Sequence, residues 1–227
     1  MTAIQPIRHP VSVPGAATRE RILDAAEALF AAEGYGSSVR QITATANCNL
    51  ASVSYHFGGK ERLYEEVFRR RLGPLREQRL RAIAGYVERA GEGLTLEKLL
   101  RAYAAAFLES WVESPRGSMF MQLLSREVIE PHLPPGFLAD FFEPIHEAFS
   151  GALIRLCPGL PGNEARLASH SFVGMLSNAL SVRRSFGSSS GGVSLDLPVL
   201  VEYTVRLLAG GVRAMAQPAK RAAAESR

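Results

Sequence analysis

Between positions 40 and 60 the chain sets four side chains that can meet a phosphate, Arg40, Tyr55, His56 and Lys60, around a run with little bulk, Leu50, Ala51, Ser52 and Ser54. Cations, a phenol and an imidazole flanking a small, polar face are the chemistry of nucleic-acid binding. The flanking groups fix register on the backbone, and the small face can approach base edges. Val53 and Phe57 fall on the opposite side of the same stretch if it is helical, which points them into a core. Gln41 and Asn49, amides at the starts of two short helices, complete the DNA-contact candidates.

Other chemistry is less well supported. Gly187-Ser188-Ser189-Ser190-Gly191 matches the G-x-S-x-G pattern of serine hydrolases, but that elbow needs a buried strand before it and a helix directly after it. Here it sits in a Ser/Gly-rich loop, so no catalytic residue is assigned and the chain is not read as an enzyme. Gly58-Gly59-Lys60 lacks the upstream glycine of a phosphate loop. His132, His146 and His170 have no metal-ligand spacing, and Cys48 and Cys157 form no CxxC pair, so neither metal nor cofactor is expected. Arg69-Arg70-Arg71 reads as a solvated helix face rather than a DNA contact, and Arg8 with His9 as part of a flexible arm.

Charge distribution agrees with the nucleic-acid reading. The net charge is +4 over 227 residues. Residues 1–89 hold 13 Lys and Arg against 9 Asp and Glu, whereas 90–227 hold 13 against 13, so the whole excess lies beside the candidate interface. No apolar run approaches the ~18 residues that would span a bilayer, and the first residues have no signal-peptide core. A reducing, cytoplasmic setting with no membrane partner is the expectation.

These side chains have to be positioned by helices. Residues 1–17, with three prolines and no periodicity, read as a flexible arm. From Thr18, a plausible N-cap, Ile22, Ala26, Leu29 and Phe30 form one apolar stripe that ends at Gly34 and Gly36. Ser38 with Gln41 makes a capping box for a short second helix whose inner face is Val39, Ile42 and Ala46. Asn47-Cys48-Asn49 is a tight turn, and a third helix, 50–57, stops at Gly58-Gly59. A fourth starts near Lys60 and should kink or break at Gly73-Pro74. Longer helices follow at 95–113, 117–130, 137–156, 163–185 and 197–216, with a loop at 185–194 and a tail from Pro218. The fold class is all-α. Two short helices joined by a three-residue turn and packed on a longer first helix form a helix-turn-helix.

The stretch Thr18 to Phe68, with LFAAEGY, VRQI and SYHFGGKERLY as its most telling pieces, resembles the N-terminal pattern of the TetR family of transcriptional regulators. It departs from that pattern at the turn, where Ala46-Asn47-Cys48-Asn49 replaces the usual Ala-Gly-Val-Ser, and at Leu50, Ala51 and Ser54, where Lys, Gly and Tyr are common. Asn47 can adopt the backbone angle that glycine supplies. The run SREVIEPHLPPGFLADFFEPIHEAFSGAL is similar to a CecR-like subgroup.

The resemblance implies a DNA-binding domain at 18–64 and a ligand-binding and dimerisation domain at 65–217. The partners it implies are double-stranded DNA, a small-molecule effector and a second copy of the chain, paired through the last two long helices. Leu176, Leu180, Leu197, Leu200, Val201, Val205, Leu208 and Val212 are the apolar positions expected to serve that pairing. Aromatic and Met residues from Tyr103 to Phe149 suit a cavity for a flat or greasy molecule, with ordinary core packing as the rival for any one of them. Phe107, Trp111, Met121, Phe142, His146, Phe149 and His170 are the ligand candidates. Arg126 is a further polar group among apolar neighbours. The expected activity is a repressor released from a near-palindromic operator by an effector. An effector-independent or activating regulator, and a helical enzyme with a relic DNA-binding head, are the alternatives.

Overall fold

The computed structural model describes residues 14–89, 93–112 and 115–217. Arg8, His9 and the tail beyond Gln217 lie outside them. Nine α-helices occur among the described residues: α1 Pro14–Glu33, α2 Val39–Thr45, α3 Ala51–Phe57, α4 Lys60–Arg89, α5 Leu96–Val112, α6 Pro115–Ile129, α7 Phe137–Leu156, α8 Gly162–Phe186 and α9 Leu197–Met215. No described helix is long and apolar enough to cross a membrane. Two compact units are formed. One runs up to Arg71 and also takes in Ser118–Pro134; the other holds Leu72–Gly117 and everything from Pro135 on.

In the first unit, α1 begins at Pro14, four residues ahead of the expected Thr18 cap, so the last residues of the expected arm are helical. Proline suits a first helical position because its missing N–H needs no partner there. The Thr18 hydroxyl instead accepts from Arg21 Nη2 at 3.2 Å. The core is built by Ile22, Ala26 and Phe30 of α1, Ile42 of α2, Val53 and Phe57 of α3, and Leu63, Tyr64, Val67 and Phe68 of α4. Tyr64 meets Phe30 edge-on at 4.9 Å, and Phe68 meets Phe120 at 5.4 Å.

The arginine triplet is not the solvated face expected of it. Arg70 donates to Asp24 at 2.9 Å and to Glu27 at 2.6 Å, and Arg71 Nε donates to Glu27 at 2.6 Å. Only Arg69 stays exposed, paired with Glu65 and Glu66 of its own helix. Glu27 is 3% exposed and could not be buried without these two guanidinium partners. Three consecutive arginines cannot share one side of a helix, so two of them turn to the acidic side of α1.

Helix α4 runs through Gly73 and Pro74 without a break, contrary to one of the two expectations for that pair. In the second unit its inner stripe is Leu72, Leu75, Arg79 and Ile83. Here α8 packs on α7 and α9, and α5 packs on α9. Leu176, Val205, Leu208 and Val212 are consumed by that packing and are buried within the subunit. The apolar surface left exposed on α8 and α9 is a different set: Leu167, Phe186, Val199, Tyr203 and Leu207. Four of the eight expected pairing positions are thus turned inward, because both faces of these helices are apolar and the α5–α9 contact takes up one of them, while Leu180, Leu197, Leu200 and Val201 stay half-exposed.

The expected loop at 185–194 contains a two-residue antiparallel ladder, β1 Ser189–Ser190 with β2 Val193–Ser194. Gly191 and Gly192 both have positive φ, as such a tight hairpin turn requires. Ser189 is exposed and followed by this turn rather than a helix, so the Gly-Ser-Ser-Ser-Gly run has none of the geometry of a nucleophile elbow.

Candidate nucleic-acid interface

Local chemistry holds α2 and α3 at a defined angle. The Ser38 side chain accepts from the Gln41 backbone N–H at 3.2 Å, while the Ser38 N–H donates to Gln41 Oε1 at 2.7 Å, the full capping box. Arg21 Nε donates to the Ala46 carbonyl at 3.1 Å and ties the end of α2 to α1. Asn47 then takes φ 49°, the left-handed angle expected of it at the turn. Asn49 Oδ1 accepts from the Ala51 N–H at 3.0 Å, and α3 ends on Gly58 at φ 78°. Two short helices, neither stable alone, are thus fixed by caps and by the burial of Ile42, Val53 and Phe57.

With Val53 and Phe57 turned inward, α3 presents Leu50, Ala51, Ser54 and Tyr55 outward, all exposed, with Ser52 half-buried beside them. Leu50 is 48% and Tyr55 84% exposed. Arg40 is exposed on α2, and His56 and Lys60 are half-exposed at the end of α3 and the start of α4. Gln41 is exposed too, but its amide is engaged within the protein: Oε1 in the capping box and Nε2 donating to Glu33 at 3.0 Å. The Lys60 ammonium lies 4.2 Å from the centroid of the Tyr35 ring.

The support behind Lys60 is a feature the sequence did not reveal. Tyr35 stacks on His132 with centroids 4.4 Å apart and meets Tyr64 edge-on at 5.0 Å. Glu127, 3% exposed, accepts from the Tyr64 hydroxyl at 2.9 Å and from the backbone N–H groups of His132 and Leu133 at 2.8 and 2.7 Å. Burial and that carboxylate push the Tyr64 hydroxyl far above its usual range and keep it a neutral donor. Arg126 donates to the Ala32 carbonyl at 3.0 Å, capping α1. Arg62 was also missed. It is exposed and lines a groove of about 490 Å³ with His56, where Arg19 and Arg69 are already paired with glutamates. The signal was its place two residues after Lys60.

The ligand candidates fall into different places. Met121 belongs to the first unit and is half-buried; Phe107, Phe142, His146, Phe149 and His170 belong to the second. The side chain of Trp111 lies outside the described residues. Phe149 packs against Tyr103 at 4.5 Å and stacks with Phe172 at 5.8 Å. His146 is buried, its Nδ1 hydrogen-bonded with Ser169 Oγ at 2.8 Å and its ring 3.8 Å from that of exposed His170. Burial, then His170 and two arginines, lowers its pKa to about 4, so it is neutral at pH 7.

Arg79, outside the sequence candidates, is 1% exposed with its guanidinium 4.4 Å from the centroid of Phe107. Desolvation depresses its pKa, partly offset by Tyr103. Its signal was a charge standing on the apolar stripe 72/75/79/83.

Comparison with known proteins places both parts of the chain. Residues 22–67 match the family model described as bacterial regulatory proteins, tetR family, and residues 101–211 match that of the tetracyclin repressor-like C-terminal domain. The protein named Probable HTH-type transcriptional regulator YttP of Bacillus subtilis (strain 168) is 41% identical over 51 residues, which are 22% of this chain and 25% of that one. The chain therefore matches a quarter of that relative's length.

Among solved structures, a TetR-family transcription regulator from Shewanella sp. PV-4 superposes with TM-score 0.64 at 20% identity, covering 86% of this chain and 97% of that one. SmeT, the repressor of the Stenotrophomonas maltophilia multidrug efflux pump SmeDEF, superposes with TM-score 0.61 at 18% identity, over 87% and 91% of the two chains. At these identities the likeness shows the all-α fold with its N-terminal helix-turn-helix. With family models matched at both ends of the chain and the helix-turn-helix built as described, the chain belongs to the TetR family of transcriptional regulators.

Proposed function

We propose that the protein is a homodimeric repressor that leaves a near-palindromic operator when a small hydrophobic or aromatic molecule binds its second unit. The observation that carries the DNA side is the outward face of α3, small and solvent-exposed, with Arg40, His56 and Lys60 around it. Leu50, Ala51, Ser52 and Ser54 read base edges in the major groove; Arg40, Tyr55, His56 and Lys60 hold the phosphates. Asn49 contributes through the amide nitrogen that its cap leaves available. Half-sites then lie about one helical turn apart or slightly more, ~34–36 Å.

Dimerisation is supported by the exposed stripe Val199, Tyr203 and Leu207, spaced four residues apart on α9, together with Leu167 on α8. The effector side is supported by Phe107, Phe142, Phe149 and His146 in one unit. Helix α4 enters that unit just before Gly73-Pro74 and offers the route by which ligand uptake changes the spacing of the reading heads. A coupling of ~1–3 kcal/mol is enough for a several-fold to hundredfold loss of operator affinity.

One observation favours an effector-independent regulator: Tyr103, Phe149 and Phe172 pack on one another, as in a filled core. Selection of bound sequences from random duplex DNA at near-physiological salt tests the operator reading. A two-fold symmetric site supports it, and sequence-indifferent binding overturns it. Uptake of an apolar fluorophore by the native protein, with release of the selected site, separates the effector-responsive reading from the filled-core one.

A further inference from the structure

We propose that Leu50 is a specificity residue that reads the 5-methyl group of a thymine, so that each operator half-site carries one T·A pair whose methyl is required. The inference rests on the DNA-binding reading above and adds the base chemistry that the reading head accepts.

The outward face of α3 contains no side chain suited to the bidentate code. From Leu50 to Ser54 there is no Arg, Lys or Gln, the residues that pair two bonds with guanine or adenine. Asn49 stands just ahead of the helix, but its Oδ1 already accepts from the Ala51 N–H at 3.0 Å. It keeps only its N–H donors and cannot grip adenine at both ends. Ser52 and Ser54 offer hydroxyls, which bond to several bases and discriminate weakly.

Leu50 is different in kind. It is 48% exposed, and its neighbours on the same face, Ala51 and Ser54, are small enough to let the helix approach closely. A leucine pressed against a base edge covers donors or acceptors and returns no hydrogen bond, an unfavourable exchange at guanine, cytosine or adenine. The one apolar group on the floor of the major groove is the thymine 5-methyl. The cations around this face, Arg40, His56 and Lys60, match the charge of a duplex, which makes DNA the occupant rather than an apolar peptide.

The test uses the full chain and the duplex recovered by selection. Each thymine is replaced singly by deoxyuridine, which removes one methyl and nothing else. One thymine per half-site is expected to weaken wild-type binding about fourfold on replacement, the worth of one methyl-sized group (~0.8 kcal/mol). Deoxy-5-bromouridine at the same place, which restores the bulk, is expected to recover the affinity. Leu50→Ala is expected to bind the thymine and uracil duplexes equally; the position is exposed, and an unchanged melting temperature shows the fold intact. If no thymine is sensitive, or if Leu50→Ala keeps the sensitivity, the methyl contact is refuted while the operator reading stands. If selection yields no symmetric site, both fall together.

Discussion

Replacing Lys60 by alanine isolates one proposed phosphate contact. Its ammonium rests over the Tyr35 ring, a contact that orients the side chain without neutralising it. In a dimer the substitution removes two phosphate contacts. At about 0.9 counterions released per phosphate, the slope of log affinity against log salt becomes shallower by ~1.8. Referred to 1 M salt, where the two proteins converge, that slope difference amounts to roughly thirtyfold weaker binding at about 0.15 M.

Fluorescence anisotropy on a labelled operator and on a scrambled duplex, from about 0.05 to 0.5 M salt, measures both quantities. The loss is expected to be the same on the two duplexes, because a phosphate contact carries no sequence information. An unchanged slope with intact folding, or a loss confined to the specific site, refutes the assignment of Lys60 to the backbone.

Three further outcomes follow from the packing and the exposed surface. Glu27→Gln leaves the half-buried Arg70 and Arg71 without their shared carboxylate, so urea unfolding should show a loss of about 2–4 kcal/mol, and a loss below about 1 would contradict the burial argument. His146 has its pKa lowered from 6.5 to about 4 in the folded chain, so between those values the unfolded chain binds the extra proton. Stability should therefore fall by about 3 kcal/mol as pH drops through that window and level off below it, and His146→Gln should flatten the dependence in unfolding curves. Leu207→Glu places a charge on the exposed stripe of α9 and should shift sedimentation from dimer toward monomer; an unchanged dimer would move the interface elsewhere.

The residues that depart from the family pattern lie in the turn before α3 and on its outward face. Asn47 keeps the turn by taking the left-handed angle, so the scaffold is unaffected. Leu50, Ala51 and Ser54 change the surface proposed to meet bases and leave the buried Val53 and Phe57 as they were. Scaffold and proposed readout are separable here because they occupy opposite sides of α3 and its N-cap Leu50.

Helix positions and the helix-turn-helix scaffold were legible in the sequence, because both depend on interactions between residues only a few positions apart. Apolar period, the Ser38–Gln41 capping box, the Asn47 turn and the Gly58 stop are local, and each appears as read. What needed the tertiary structure was the use made of groups far apart in the chain. The Arg69–Arg71 run could face water or acids, and only the approach of α1 settled that two of the three are half-buried against Glu27.

Similarly, α9 has apolar residues on two faces, and packing against α5 and α8 turned Val205, Leu208 and Val212 inward, leaving Val199, Tyr203 and Leu207 exposed. Glu127 supports Tyr64 from 63 positions away in sequence, and His132 stacks on Tyr35 from the far side of the same stretch. Periodicity can say that a face is buried. Which partner buries it, and which buried charge finds a counter-charge, is decided by contacts that no local pattern encodes.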